Sequence, residues 1–250
     1  MRNLEGEALN EVLHQLHARK SVRVFDDREI SAEDRLAILT AATMAPTAGN
    51  QQLYTIIDVT DPELKARMVE TCDHQPFIAR AKLVLVFCAD CRKWYEAFRT
   101  AGCAPRLPGA GDLLLAVSDA NIAAQNAVTA AWSLGIGSCY IGDVMENCAA
   151  QRELLGLPKY VFPAAMVVFG YPAQQQLERK KPERSPLAQI VHENSYHQMD
   201  EADYREMFSD RCGARSYEDW MQAFCDRKYN SDFSREMTRS VAEYLKDFME

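Results

Sequence analysis

Arg19-Lys20-Ser21-Val22-Arg23 places three cations and a hydroxyl within five residues of a chain that is acidic overall. An arginine fork suits phosphate oxygens, a lysine adds a point charge and a serine adds a hydroxyl, so the segment reads as an anion site. It reads equally well as the basic end of a helix. Leu9, Val12, Leu13 and Leu16 recur at helical spacing just before it, and cations there complement the helix dipole. A later run, Arg179-Lys180-Lys181-Pro182-Glu183-Arg184, carries the same two readings, anion partner or solvated loop.

Two neutral stretches could complete a site. Ala45-Pro46-Thr47-Ala48-Gly49-Asn50-Gln51-Gln52 is rich in breakers and side-chain amides, which suit the edge of a heterocycle bearing both carbonyls and N–H groups. The same residues also make a plain helix-to-strand turn. Gly135-Ile136-Gly137-Ser138-Cys139-Tyr140-Ile141-Gly142-Asp143 is glycine-rich but fits no phosphate motif. Tyr140 stands where a dinucleotide fingerprint needs its third glycine, and Asp143 where a Walker loop needs lysine. What remains is a backbone that approaches a ligand closely, or a helix end leading into a strand.

Composition narrows the classes. The chain has 250 residues, 48% hydrophobic and 26% charged, with 28 basic against 36 acidic side chains and a net charge of −8. Any anion site must therefore be local, and nucleic acid is not an expected partner. No apolar run approaches a bilayer span and the N-terminus lacks an apolar leader, so a cytoplasmic protein without membrane contact is expected. The eight cysteines are then expected as reduced thiols. Cys88-Ala-Asp-Cys91 has no second pair to complete a metal site, and the histidines form no zinc pattern, so no metal is expected.

Elements must hold these segments. A helix is expected from Ser31 as N-cap to Ala45-Pro46, then a strand over Tyr54–Val59, a helix over Pro62–Cys72 and a buried strand over Leu83–Cys88. A short helix follows over Lys93–Arg99. Asp112–Leu134, alanine-rich and free of glycine and proline, reads as a long, closely packed helix. Ala149–Leu155 reads as helix, Ala164–Gly170 as strand, and the chain beyond Asp200 as charged amphipathic helices with aromatic stripes.

The order of these pieces resembles the nitroreductase family. The basic R-x-S-x-R-x-F segment comes first, then A-P-T-x-x-N-x-Q before a strand, then a long alanine-rich helix. G-I-G-x-x-x-I-G, a strand ending in G-Y-P and a K-P-E-R-x-P-L stretch follow. The resemblance spans roughly Leu9 to Val191. It implies an α+β homodimer of three layers, a mostly antiparallel sheet flanked by helices, with FMN at the subunit interface and NADPH or NADH as reductant. By position, Arg19, Lys20, Ser21 and Arg23 match the segment that grips flavin phosphate and pyrimidine edge. Thr47, Asn50 and Gln52 fall in the amide loop, Tyr140, Ile141, Gly142 and Asp143 in the loop near flavin N5, and Lys181 and Arg184 match a late basic pair on the phosphate. Glu183 interrupts a K-P-R sequence that many members keep, and Leu53-Tyr54 replaces their Pro-Trp.

The implied activity is transfer of electrons from NAD(P)H to small acceptors such as nitroaromatics or quinones, in ping-pong order. No catalytic side chain is assigned, because the cofactor carries the chemistry. A flavin reductase, a reductive dehalogenase with a lid over 93–111, and a non-catalytic flavin-binding module remain alternatives. A flavin-binding domain is expected over residues 1–199 and a helical extension over 200–250.

Overall fold

The computed structural model describes residues 10–249. Helix α1 (Glu11–Ala18) begins where the Asn10 side chain accepts the Leu13 N–H at 2.9 Å. Leu9, expected on its apolar face, lies outside the described residues. The Ser31 hydroxyl accepts from Asp34 N–H and opens α2 (Ala32–Thr43), which stops before Pro46 as expected. Strand β1 (Tyr54–Asp58) follows, then α3 (Pro62–Thr71), with Asp61 as cap and proline at its first position, and the single turn α4 (Phe77–Arg80).

Strand β2 (Leu83–Asp90) leads into α5 (Arg92–Thr100), and α6 (Ala110–Ser133) is the long alanine-rich helix. After it come β3 (Gly137–Ile141), α7 (Cys148–Leu155), β4 (Val161–Gly170) and the short α8 (Gln174–Glu178). Charged helices α9 (Glu201–Cys212), α10 (Tyr217–Lys228) and α11 (Asp232–Leu245) complete the chain.

The four strands form one antiparallel sheet in the order β1-β2-β4-β3. Every residue of β2 and β4 is buried, so helices cover both faces of the sheet centre. Helix α6 touches all four strands and packs against α2; Ala116, Ala120, Ala123, Ala124 and Ala127 are fully buried on it, and their small side chains let its backbone approach its neighbours closely. The α+β class with a helix-flanked antiparallel sheet is thus as expected.

Three differences have physical causes. Strand β4 begins at Val161 rather than Ala164, although Pro163 argues against a central strand. The register shifts between Phe87 and Cys88 so that Ala164 is left without a partner, and this bulge admits the proline. Helices α4 and α8 span four and five residues, too short to show a period. The chain also divides elsewhere than at residue 200: one unit holds residues up to Arg179 together with Glu236–Glu250, and a second holds Lys180–Arg235. The last helix belongs with the first unit because it is amphipathic. Tyr244 is fully buried and meets Phe162 edge-on at 5.1 Å, and Arg152 pairs with Asp247 at 2.5 Å.

Candidate functional site

The basic segment is fixed by the sheet end on which it lies. Ser21 forms a parallel bridge with Ser138 of β3, and the Val22 N–H donates to the Ser138 carbonyl at 2.9 Å. Phe25 bridges Pro172 just beyond β4. Beneath them, Gly137 and Gly170 face each other in the β3–β4 register. A Cβ on Gly137 would lie 2.6 Å from the Val22 side chain, and one on Gly170 2.7 Å from the Phe25 ring. So of the three glycines in that sequence run, Gly137 serves close approach by the protein's own chain. Gly135, at φ +75°, terminates α6.

This packing places Arg19 half-buried, its guanidinium 5.8 Å from the centre of the Tyr140 ring and 3.4 Å from the Ser138 hydroxyl, which accepts from Nη2. Burial pushes the Tyr140 hydroxyl up to about 12, with Arg19 pulling the other way, so the phenol keeps its proton and donates to Gln125 of α6 at 3.4 Å. The Arg23 side chain is exposed, and its backbone N–H donates to Gln176. Burial raises the Cys139 thiol, an effect that Arg23, Ser21 and Arg19 partly offset. The Lys20 side chain is engaged within the chain. Its ammonium donates to the carbonyls of Leu177, at 2.8 Å, and of Arg179, where the orphan carbonyls of α8 need a cation.

The amide loop is held by a buried carboxylate that no motif of the sequence singles out. Asp119 of α6 is 3% exposed. One carboxylate oxygen accepts the Ala48 N–H at 3.0 Å, and the other accepts the Thr47 hydroxyl and the Leu53 N–H, the latter at 3.1 Å. Thr47 Oγ1 in turn accepts the Gln52 N–H at 2.7 Å. Within this brace, Gly49, Asn50 and Gln52 all adopt left-handed backbone, at φ 56°, 57° and 50°. Two non-glycine residues in that region mark a conformation that its surroundings impose. The Asn50 and Gln52 side-chain amides are exposed and make no hydrogen bond among the described residues. Thr47 is therefore part of the brace, whereas Asn50 and Gln52 are presented outward. One signal was legible: Asp119 falls three residues after Ala116 and four before Ala123, on the alanine face that packs inward.

At the end of β3, Ile141 is buried and Gly142 exposed, which leaves Gly142 backbone as the reachable group. Asp143 accepts from Gln75 Nε2 at 3.0 Å, and its carbonyl accepts the Glu146 N–H. Glu146 is 4% exposed, and its Oε1 has no hydrogen-bond partner among the described residues. Burial, then Asp143 and more weakly Asp73 and Glu236, pushes its carboxyl up to about 8, so it is a neutral acid at pH 7.

Lys181 and Arg184 lie in the second unit, where they line a basic recess with Lys180 and Arg211. Lys180 pairs with Glu183 at 3.0 Å, and Arg211 donates to Ser185. Among the described residues, no group of three or more His, Cys, Asp or Glu could hold a metal ion, and no helix is long and apolar enough to cross a membrane.

The sheet carries the basic segment along its β3 edge and the strained loop of outward amides ahead of β1 at its opposite edge, in an α+β chain. A sequence model of the nitroreductase family matches residues 16–171, and the chain belongs to that family. It is 33% identical over 238 residues to an FMN reductase [NAD(P)H] of Bacillus subtilis, covering 94% of this chain and 91% of the relative. An oxygen-insensitive NADPH nitroreductase of Salmonella typhimurium is 36% identical over 193 residues, 77% of this chain and 78% of that protein. Among solved structures, NADPH:FMN oxidoreductase of Vibrio harveyi complexed with NAD+ superposes with a TM-score of 0.80 at 27% identity, over 94% of this chain and 98% of that one.

Proposed function

We propose that the chain is an FMN-dependent oxidoreductase that uses NADPH or NADH to reduce small acceptors, nitroaromatics and quinones among them. The names of its relatives support the cofactor and the reductant. The donor set fits FMN: a half-buried arginine, a second arginine and a serine lie on one packed segment, and unengaged amides lie on a braced loop.

When bound, FMN accepts a hydride at N5 and returns electrons to an acceptor. The protein's part is to bind and orient. Arg19 and Arg23 would hold the phosphate and pyrimidine side, Asn50 and Gln52 the ring edge, and the Gly142 backbone the region near N5. Lys181 and Arg184 are proposed for the phosphate on the resemblance alone. Dinucleotide and acceptor would use one site in turn, in ping-pong order. The exposed apolar side chains of α1 (Val12, Leu16), α2 (Leu36) and α6 (Leu114, Ile122) support a homodimer. A cytoplasmic location accords with this chemistry.

The observation that carries the reading is Arg19, held over Tyr140 and beside Ser138 by a segment with glycines packed beneath it. Arg19→Ala should weaken FMN binding by about 1.5–3 kcal/mol, the range of a charge-assisted hydrogen bond. Isothermal titration of the apoprotein measures this. Apo stability should stay nearly unchanged; a large apo destabilisation with unaltered affinity would make Arg19 a structural cation only.

A further inference from the structure

The turn Gly142–Met145 that ends β3 is backed by a buried carboxyl. The Glu146 N–H donates to the Asp143 carbonyl at 3.0 Å and closes the turn. Its carboxyl hydrogen-bonds the Asp143 side chain, while Oε1 has no partner among the described residues. Asp143 also accepts from Gln75 Nε2 at 3.0 Å, and that nitrogen donates to the Cys72 carbonyl at 3.1 Å. The two acids thus tie the turn to the end of α3.

Three non-glycine residues around this pair hold left-handed backbone: Asp73 at φ 55°, His74 at 50° and Asn147 at 51°. Such conformations persist only where the surroundings impose them. The Asn147 side chain donates to the Thr71 carbonyl at 3.0 Å, and its N–H donates to Glu236 of α11 at 3.1 Å. Acids therefore face Glu146 from three elements: Asp143 on its own turn, Asp73 after α3, and Glu236, which Arg239 pairs at 2.7 Å. The end of α3 also brings the Cys72 thiol, which burial pushes up to about 12, and His74 with Glu70, an exposed pair 3.0 Å apart. From α7 come Cys148 and Arg152, the latter engaged by Asp247 at 2.5 Å. Strand β4, which packs on the turn, carries no titratable side chain.

A protonated Glu146 donates to Asp143, so that the two carboxyls share one site. An ionised Glu146 cannot donate, and repulsion between like charges then strains the turn toward its exposed Gly142 end. Resting on the oxidoreductase reading above, we propose that Glu146 is a positioning residue for the flavin. Its protonated carboxyl, bonded to Asp143, holds the turn so that the Gly142 backbone meets the cofactor, and its ionisation releases the turn.

Glu146→Gln keeps a donor to Asp143 at every pH and cannot ionise. Quenching of FMN fluorescence measures the affinity of both apoproteins from about pH 6.5 to about pH 9. The titrating groups of FMN are common to both, so the ratio of the two dissociation constants isolates Glu146. That ratio should be near one at the acid end. At the alkaline end, one unit above the Glu146 midpoint of about 8, the native chain should bind about tenfold more weakly. Hydrogen–deuterium exchange over residues 142–147 of the apoproteins reads the turn without flavin. Native exchange should match the variant at the acid end and exceed it several-fold at the alkaline end. Asp143→Asn, which can donate to an ionised Glu146, should flatten the native pH dependence even if Glu146→Gln folds poorly. A ratio that does not change with pH, or equal exchange of the turn at the alkaline end, overturns the proposal and leaves Glu146 a structural group only. If the protein takes up no FMN, the oxidoreductase reading fails, whereas exchange still tests whether Glu146 holds the turn.

Discussion

Asp119 and Glu146 are both buried carboxyl groups, 3% and 4% exposed, and each stands behind a segment proposed above to hold the flavin. Their surroundings are opposite. Asp119 accepts from Thr47 Oγ1, Ala48 N–H and Leu53 N–H, so its charge is spread over donors that also fix the loop. Glu146 has Asp143, Asp73 and Glu236 around it, each raising its carboxyl, and one oxygen without a partner among the described residues. The difference teaches what burial does to an acid. Given enough donors the group organises a loop; without them it keeps its proton.

Removing the satisfied member should have the larger effect. Asp119→Ala leaves the buried Leu53 N–H and the Ala48 N–H without acceptors and frees the left-handed run from its brace. A destabilisation of about 3–5 kcal/mol is expected from several uncompensated donors at once. Chemical denaturation of the apoprotein measures it, with loss of FMN affinity as a second readout. A change below about 1 kcal/mol would mean that the loop holds its shape without the carboxylate, and the contrast with Glu146 would collapse.

That contrast also marks where sequence reasoning stopped. The cation segment, the amide loop and the glycine run were legible because each concentrates unusual residue types over a few positions. The sheet was legible at β2, a continuous apolar run, but not at the start of β4, where a bulge accommodates Pro163. Asp119 and Glu146 were not read as structural groups because nothing local separates a braced acid from a protonated one. The deciding partners lie far along the chain: Thr47 and Leu53 for Asp119, Asp73 and Glu236 for Glu146. The intrachain partners of the Lys20 ammonium were hidden for the same reason, since α8, whose carbonyls it meets, is too short to be seen in a pattern.

Glu146 offers the next test. Folding raises its carboxyl from an ordinary 4.5 to about 8, so between those values the unfolded chain releases a proton that the folded chain retains. The stability contributed by the protonated form is fully present below about 4.5 and is lost as pH rises through about 8. Glu146→Gln, an isostere of the neutral acid, should match the native chain near pH 4 and exceed it by on the order of 2–4 kcal/mol at pH 8. Denaturation midpoints across that range measure the effect. Parallel pH profiles for the two proteins would show that Glu146 is ionised in the fold and satisfied much as Asp119 is.

The smallest expected effect concerns a single donor. Thr47 Oγ1 donates to Asp119 and accepts from the Gln52 N–H at 2.7 Å. Thr47→Val keeps the shape but removes both bonds. Gln52 is exposed, so water can replace its lost partner, while Asp119 keeps its two backbone donors. A loss of about 1 kcal/mol is therefore expected, close to the net value of one hydrogen bond. Thr47→Ser, which retains the hydroxyl, should recover most of it. Because the left-handed conformation of Gln52 depends on that N–H being held, FMN affinity should fall in the valine variant more than its stability does. Equal stability and affinity in all three proteins would place the brace in the two backbone donors alone. A loss as large as that of Asp119→Ala would mean that the hydroxyl is what keeps this buried charge from behaving like Glu146.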